Sequence, residues 1–134
     1  MYNLGNASYK EGDYNSAVSY FSEAVKKNPS GEKDCLTRIN LALSICNTID
    51  FNDLDTKEKT DMAIGILKKA KAVLLENECA SENGNGHNAD AQQLKEDIDR
   101  TIAELENPGS SGEEPDKEPD DDSENVYETH IKQW

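Results

Sequence analysis

The sequence is poor in apolar and basic residues and has no long apolar run. Hydrophobic residues make up 34% of its 134 residues and the formal net charge is −14, whereas soluble domains are usually about 45–50% apolar. A surface this acidic repels phosphate, so nucleic acid is not an expected partner. No stretch approaches the roughly 18 apolar residues of a membrane span. Residues 1–5 lack both the basic start and the apolar stretch of a signal peptide.

Residues that carry catalysis or bind metals are also scarce. The chain has two histidines and three cysteines, with no nucleophile motif and no Gly-rich phosphate loop, so we predict neither an enzyme nor a cofactor. The cysteines lack zinc-site spacing and no histidine is near enough in sequence to complete a site, so no metal is predicted. Residues 81–86 faintly resemble a calcium loop, but Gln92 stands where the bidentate acid belongs. A flexible connector is the alternative.

Charge and proline are concentrated at the C-terminal end. Residues 107–134 carry nine acidic side chains against Lys117 and Lys132, together with three of the four prolines. Residues 107–125 contain no apolar side chain except proline. Such a stretch buries too little surface to offset its ordering entropy. We therefore predict a domain over 1–106 and a disordered acidic tail over 107–134, which either attracts a basic partner or remains solvated.

Hydrophobic periodicity in the domain predicts an all-α fold, because apolar residues recur at helical spacing and no long alternating run occurs. The predicted boundaries are a turn at 12–13, a stop at 28–29, an N-cap at Asp34, a loop over 50–55, a start at Thr56, a second loop over 78–88 and a last helix over 89–106. The third helix is apolar nearly all round and the fourth has a broad apolar face that includes Met62. The last has a narrow stripe with charged faces elsewhere, as a capping helix needs.

Residues 1–29 closely resemble a tetratricopeptide repeat, which is a hairpin of two antiparallel helices. The positions that match its signature are Leu4, Gly5, Gly12, Tyr14, Ala17, Phe21, Ala24 and Pro29. The resemblance implies that Gly5 and Ala17 are small because the two helices cross closely there. Ser8 departs from the pattern, since the family usually has an aromatic residue at that position.

A second, degenerate repeat follows the first. Ala63, Leu67 and Ala70 repeat the spacing of Ala17, Phe21 and Ala24. The step from Ala42 to Ala63 is nine residues longer than the corresponding step from Gly5 to Ala17. This difference predicts a nine-residue insertion centred on 51–54. The expected architecture is two antiparallel helix pairs plus a C-terminal capping helix.

The resemblance implies a non-catalytic adaptor that binds a protein or peptide on the concave face of its first helices. The residues expected to bind the partner are Tyr2, Asn3, Asn6, Lys10, Ile39 and Asn40. Asn6 and Asn40 match asparagines that hold a peptide in carboxylate-clamp members, but Tyr2 stands where a clamp lysine belongs, so a C-terminal carboxylate is not the expected ligand. Two alternatives remain: asparagines that only face solvent or cap turns, and a spacer or oligomerisation domain of a membrane-anchored complex.

Segments 38–43 and 90–98 resemble short repeat proteins encoded beside MoxR-type ATPases and von Willebrand A domain proteins in bacterial Bat or aerotolerance operons. Those relatives often carry a membrane anchor ahead of the repeat, which this chain does not show. Met1 lies inside the first repeat helix, which leaves open a chain trimmed from a longer protein. This resemblance implies contact with a membrane only through such an anchor.

Two of the three cysteines lie at the same end of the second hairpin. Cys35 is at the start of the third helix and Cys79 just past the end of the fourth, whereas Cys46 lies about three turns away and is expected to be a small buried hydrophobe. We predict that Cys35 and Cys79 can form a disulfide if their Cα atoms approach within about 7 Å. A disulfide implies an oxidising compartment, here the extracytoplasmic face of a bacterial membrane; three reduced thiols in the cytoplasm are the alternative.

Overall fold

In the part of the chain that the structure describes, five α-helices form two hairpins and a closing helix. The structure, a computed structural model, describes residues 1–27 and 31–107. Its helices are α1 (Tyr2–Glu11), α2 (Tyr14–Lys26), α3 (Gly31–Asn47), α4 (Lys57–Leu75) and α5 (Ala89–Glu106). Within these ranges there is no strand, which confirms the predicted all-α class of helical hairpins. None of the described helices is long and apolar enough to cross a membrane. The predicted stop at 28–29 and nearly all of the predicted acidic tail lie outside the described residues.

The turn between α1 and α2 lies where the sequence predicts it. Gly12 has a left-handed backbone with φ of 83°, a conformation that costs glycine no steric penalty. The amides of Gly12 and Asp13 donate to the carbonyls of Tyr9 and Ser8 at 3.0 and 2.9 Å, which satisfies the last carbonyls of α1. The Asp13 carboxylate then caps α2 by accepting a hydrogen bond from the Ser16 amide at 3.2 Å.

Helices α1 and α2 cross where small residues permit a close approach. Gly5 lies beneath the ring of Phe21, so that a Cβ atom added to Gly5 would sit 2.6 Å from the nearest ring carbon. Phe21 and Ala17 are fully buried, and the Phe21 ring meets the ring of Tyr2 edge to face, with centroids 5.8 Å apart. The crossing therefore requires a residue without a side chain at position 5.

The second hairpin is longer than the first because both its helices and its connection are longer. Helices α3 and α4 contain 17 and 19 residues, against 10 and 13 in α1 and α2. The connection includes a 3-10 turn at Phe51–Asp53, and the Phe51 side chain packs against the core. The Thr56 hydroxyl accepts a hydrogen bond from the Lys59 amide at 3.1 Å, so Thr56 is the N-cap that the sequence predicts.

The sequence predicts Asp34 as the N-cap of the third helix, and this prediction is wrong. The helix begins at Gly31, and Asp34 lies inside it as a buried carboxylate that accepts a hydrogen bond from Arg38 Nε at 2.9 Å. A cation four residues further along the helix stabilises the carboxylate there.

The apolar patterns of the third and fourth helices also overestimate burial, since Leu36 and Met62 are 48% and 67% exposed.

Helix α5 covers both α3 and α4, and for that reason it is more deeply buried than a narrow stripe implies. Leu94, Ile98 and Ile102 of the stripe are buried, but Lys95 and Asp97 are buried too, contrary to the predicted charged, solvated back. Lys95 compensates for its burial by pairing with Asp99 at 2.8 Å. The closing helix is thus fixed by apolar packing and by an ion pair.

Candidate binding face and disulfide corner

The two hairpins meet through a polar cluster between α1 and α3. The Asn40 side-chain amide donates to the Tyr2 hydroxyl at 3.0 Å and to Asn6 Oδ1 at 3.3 Å. All three side chains are half-buried. Three of the six residues predicted to bind a partner therefore lie in direct contact, and two different helices supply them.

The other predicted residues surround this cluster without joining it. Asn3 and Lys10 are exposed on α1, and Ile39 of α3 is half-buried and packs against the core. Leu36 lies one turn before Asn40 on the same side of α3 and is half-exposed, although the sequence predicts a third helix that is apolar nearly all round. We call the surface formed by Tyr2, Asn3, Asn6, Lys10, Leu36, Ile39 and Asn40 the first-helix face.

A second polar contact joins the same two helices further along, and sequence reasoning missed it. Asn47 Nδ2 donates to the Tyr9 hydroxyl at 3.1 Å. The signal lies in the spacing, because Tyr2 and Tyr9, like Asn40 and Asn47, are seven residues or about two turns apart. Burial, reinforced by Tyr14 and Cys46, raises the pKa of Tyr9 to about 12, so its phenol is neutral at physiological pH.

Small residues at a close crossing, a glycine turn and polar contacts between first helices are the features of a repeated helical hairpin. Residues 1–30 match the family model of the tetratricopeptide repeat. Searches of curated proteins and of solved structures find no match for the chain. Tetratricopeptide repeats are generally non-catalytic and generally mediate protein–protein interaction. The narrower resemblance to the bacterial operon proteins receives no support from these comparisons.

The hairpin that follows the matched repeat carries a disulfide at its open end. Cys35 of α3 and Cys79 after α4 are bridged, with Cα atoms 5.6 Å apart and a sequence separation of 44 positions. Both are buried. Cys46 is a free, fully buried cysteine on α3, the helix that also carries Cys35. Burial raises the pKa of the Cys46 thiol. The structure thus bridges the two cysteines that the sequence places together and leaves the third as a small core residue.

Polar contacts hold the same end of the second hairpin together. Arg38 donates to Asp34, to the Val73 carbonyl at 3.2 Å and to the Glu76 carboxylate at 2.8 Å. Asn77, which has a left-handed backbone with φ of 59°, donates through its side chain to Asp34 Oδ2 at 2.8 Å. The start of α3 and the end of α4 are therefore connected by charge-assisted hydrogen bonds as well as by the disulfide.

His87 lies beside the disulfide, which sequence spacing gave no reason to expect. Its Nδ1 is 4.0 Å from Cys35 Sγ and its Nε2 is 2.8 Å from the Asn77 carbonyl oxygen. The loop after Cys79 folds back on itself, since the amides of His87 and Asn88 donate to the carbonyls of Glu78 and Cys79 at 3.1 and 3.0 Å. We call the group formed by Cys35, Cys79, His87 and Asn77 the disulfide corner.

The side chain of Gln92 bonds the loop that the sequence likened to a calcium site. Gln92 Oε1 accepts hydrogen bonds from the amides of Ser81 and Gly86 at 2.9 and 3.2 Å, and its Nε2 donates to the Ser81 carbonyl at 3.1 Å. A Cβ atom on Gly86 would overlap the Ala80 backbone and the Cys79 carbonyl. An amide side chain therefore bonds the loop backbone from the position where a calcium loop has its bidentate acid.

Proposed function

We propose that this chain is a non-catalytic interaction module that binds a protein or peptide partner on the first-helix face. The observation that carries the proposal is the polar cluster in which Asn40 bonds both Tyr2 and Asn6. It places amide groups from two helices side by side on one surface. Both N–H groups of Asn40 donate within the cluster, which leaves Asn40 Oδ1 to accept from a peptide amide and Asn6 Nδ2 to donate to a peptide carbonyl, so this pair suits an extended backbone.

The surroundings of the cluster favour an internal peptide segment over a chain terminus. Leu36, half-exposed one turn from Asn40, offers an apolar contact for a partner side chain. The lysines of a carboxylate clamp are not matched on the proposed face, and Tyr2 stands where one of them would be. The net charge of −14 disfavours nucleic acid as a partner.

A displayed library of random peptides, selected on the full chain, tests this proposal. We expect selected peptides to bind the Asn6→Ala/Asn40→Ala double variant at least tenfold more weakly, because two backbone contacts at about 1 kcal/mol each are lost. The matched control is Asn15→Ala, an exposed asparagine of α2 beside the groove between α2 and α4, on the other side of α3. Binding that the double variant keeps and the control loses would move the binding surface to that groove.

We also propose that the domain works in an oxidising compartment, in keeping with the extracytoplasmic location predicted from the sequence. The buried Cys35–Cys79 bridge supports this proposal, because disulfides persist in such compartments. Thiol counting under denaturing, non-reducing conditions, on protein matured in its native compartment, is the test. One free thiol at Cys46 is the expected result, and three free thiols would place the domain in a reducing environment. The predicted association with a bacterial Bat or aerotolerance operon is tested by asking whether MoxR-type ATPases and von Willebrand A domain proteins are encoded beside this gene.

A further inference from the structure

The disulfide corner contains three groups that can bind a metal ion. The Sγ atoms of Cys35 and Cys79 and a ring nitrogen of His87 all lie within 4.8 Å of one another. They come from three parts of the chain, namely the start of α3, the residue after the 3-10 turn Glu76–Glu78 that follows α4, and the loop before α5. Thiolate and imidazole are the ligands that zinc prefers in proteins.

The hydrogen bonds of His87 leave one particular nitrogen free for a ligand. The Asn77 carbonyl can only accept a hydrogen bond, so Nε2, 2.8 Å away, carries the proton. In the neutral imidazole, Nδ1 then has a free lone pair, and Nδ1 is the atom that lies 4.0 Å from Cys35 Sγ. Metal-bound histidines usually donate their second ring nitrogen to a carbonyl or carboxylate in this way.

The loop that carries His87 is held in place independently of the disulfide. Gln92 bonds Ser81 and Gly86, and the amides of His87 and Asn88 bond the carbonyls of Glu78 and Cys79. Breaking the bond between the two sulfurs removes none of these contacts. The ligand geometry is therefore organised in advance, which lowers the entropic cost of binding an ion.

We propose that the reduced form of this chain binds one zinc ion through Cys35, Cys79 and His87, and that the zinc site and the disulfide are alternative states of the same corner. A dithiol reductant supplies two electrons and two protons, the bond between the two sulfurs breaks, and the reductant leaves as its own disulfide. Zinc then displaces both thiol protons to solvent. Two thiolates balance the charge of the divalent ion, and water completes the tetrahedral coordination.

The distance between Cys35 Sγ and His87 Nδ1 is already close to that of a zinc site, whereas the two sulfurs must separate from bonding distance. With Zn–S and Zn–N bonds of about 2.3 and 2.0–2.1 Å, a tetrahedral ion holds sulfur and nitrogen about 3.6 Å apart and two sulfurs about 3.8 Å apart. Cys35 Sγ and His87 Nδ1 therefore need to approach by a few tenths of an ångström from their present 4.0 Å. The sulfurs need to separate, which rotation of the cysteine side chains allows.

Competition with a chromophoric chelator measures zinc binding to the full chain, reduced with a phosphine so that no added thiol competes for the metal. We expect the reduced chain to bind one zinc ion and the oxidised chain to bind none at this corner. His87→Ala should weaken binding by at least tenfold. Two matched controls should bind as the native chain does: His130→Ala changes the only other histidine, and Cys46→Ala removes the thiol outside the corner.

Two results would overturn the site: a reduced chain that does not bind zinc, or His87→Ala binding as tightly as the native sequence. Circular dichroism of oxidised His87→Ala establishes that this variant folds. If it does not fold, the spectrum of the native reduced chain with cobalt(II) decides. Intense tetrahedral bands with thiolate charge transfer support the site, and the weak bands of octahedral cobalt contradict it.

Discussion

Two helical glycines of this protein should respond in opposite directions to the same substitution. Alanine favours a helix over glycine by about 0.5–1 kcal/mol, because glycine loses more backbone entropy on folding. Gly65 is exposed in the middle of α4, and a Cβ atom added there would meet nothing within 4 Å. We therefore expect Gly65→Ala to stabilise the fold by about 0.5–1 kcal/mol.

At Gly5 the same methyl group has no room. Its Cβ would lie 2.6–2.8 Å from three ring carbons of Phe21, and Phe21 is fully buried with its ring against Tyr2, so the ring cannot easily move aside. Overpacking of this kind costs about 1–3 kcal/mol. After the gain in helix propensity is subtracted, Gly5→Ala should destabilise the fold by about 1–2 kcal/mol.

Urea denaturation of the oxidised chain, followed by circular dichroism, measures both variants against the native sequence. The unfolding free energies of Gly5→Ala and Gly65→Ala should differ by about 1.5–3 kcal/mol, with opposite signs relative to the native chain. The slopes of the two transitions should agree, because the same surface is exposed on unfolding. If Gly5→Ala were as stable as the native chain, the close crossing of α1 and α2 would be wrong.

Three further predictions concern the end of the domain, its buried ion pair and its acid stability. Deleting residues 108–134 should leave the melting temperature unchanged, and a large decrease would show that the folded core extends past α5. Arg38→Met should lower the unfolding free energy by about 3–5 kcal/mol in thermal or urea denaturation, because it leaves the buried Asp34 carboxylate without its cation. Lys57→Met removes an exposed ion pair and should cost under about 1 kcal/mol, so equal losses would contradict the burial of the Arg38–Asp34 pair. Burial opposes the charge of Asp99, but hydrogen bonds from two lysines outweigh it and lower the pKa of this carboxyl. The stability that the Asp99 carboxylate contributes is thus complete above its unfolded-state pKa and is lost as the pH falls through its folded-state pKa. Asp99→Asn should therefore flatten the loss of stability in acid, and an unchanged profile of unfolding free energy against pH would refute this.

The helices and their turns could be predicted from the sequence because they depend on neighbouring residues. Gly12 and Asp13 end one helix and begin the next through backbone bonds that span a few positions. Thr56 caps α4 for the same local reason. The pairing of Cys35 with Cys79 could also be anticipated, since antiparallel packing alone brings the two ends of a hairpin together.

Burial and the meeting of distant side chains depended on how helices α1 to α5 pack. Leu36 and Met62 follow helical apolar spacing as well as any core residue, yet they are exposed, because periodicity identifies a helix face without showing which part of it another helix covers. Lys95 is buried because α5 lies against two helices and has an acidic partner there. His87 reaches Cys35, 52 positions away in sequence, only because the loop before α5 folds back over the end of α4. The sequence alone therefore determined the helices, the turns and the hairpin ends, whereas the metal-binding group at the disulfide corner followed from the path of a loop, which no local spacing encodes.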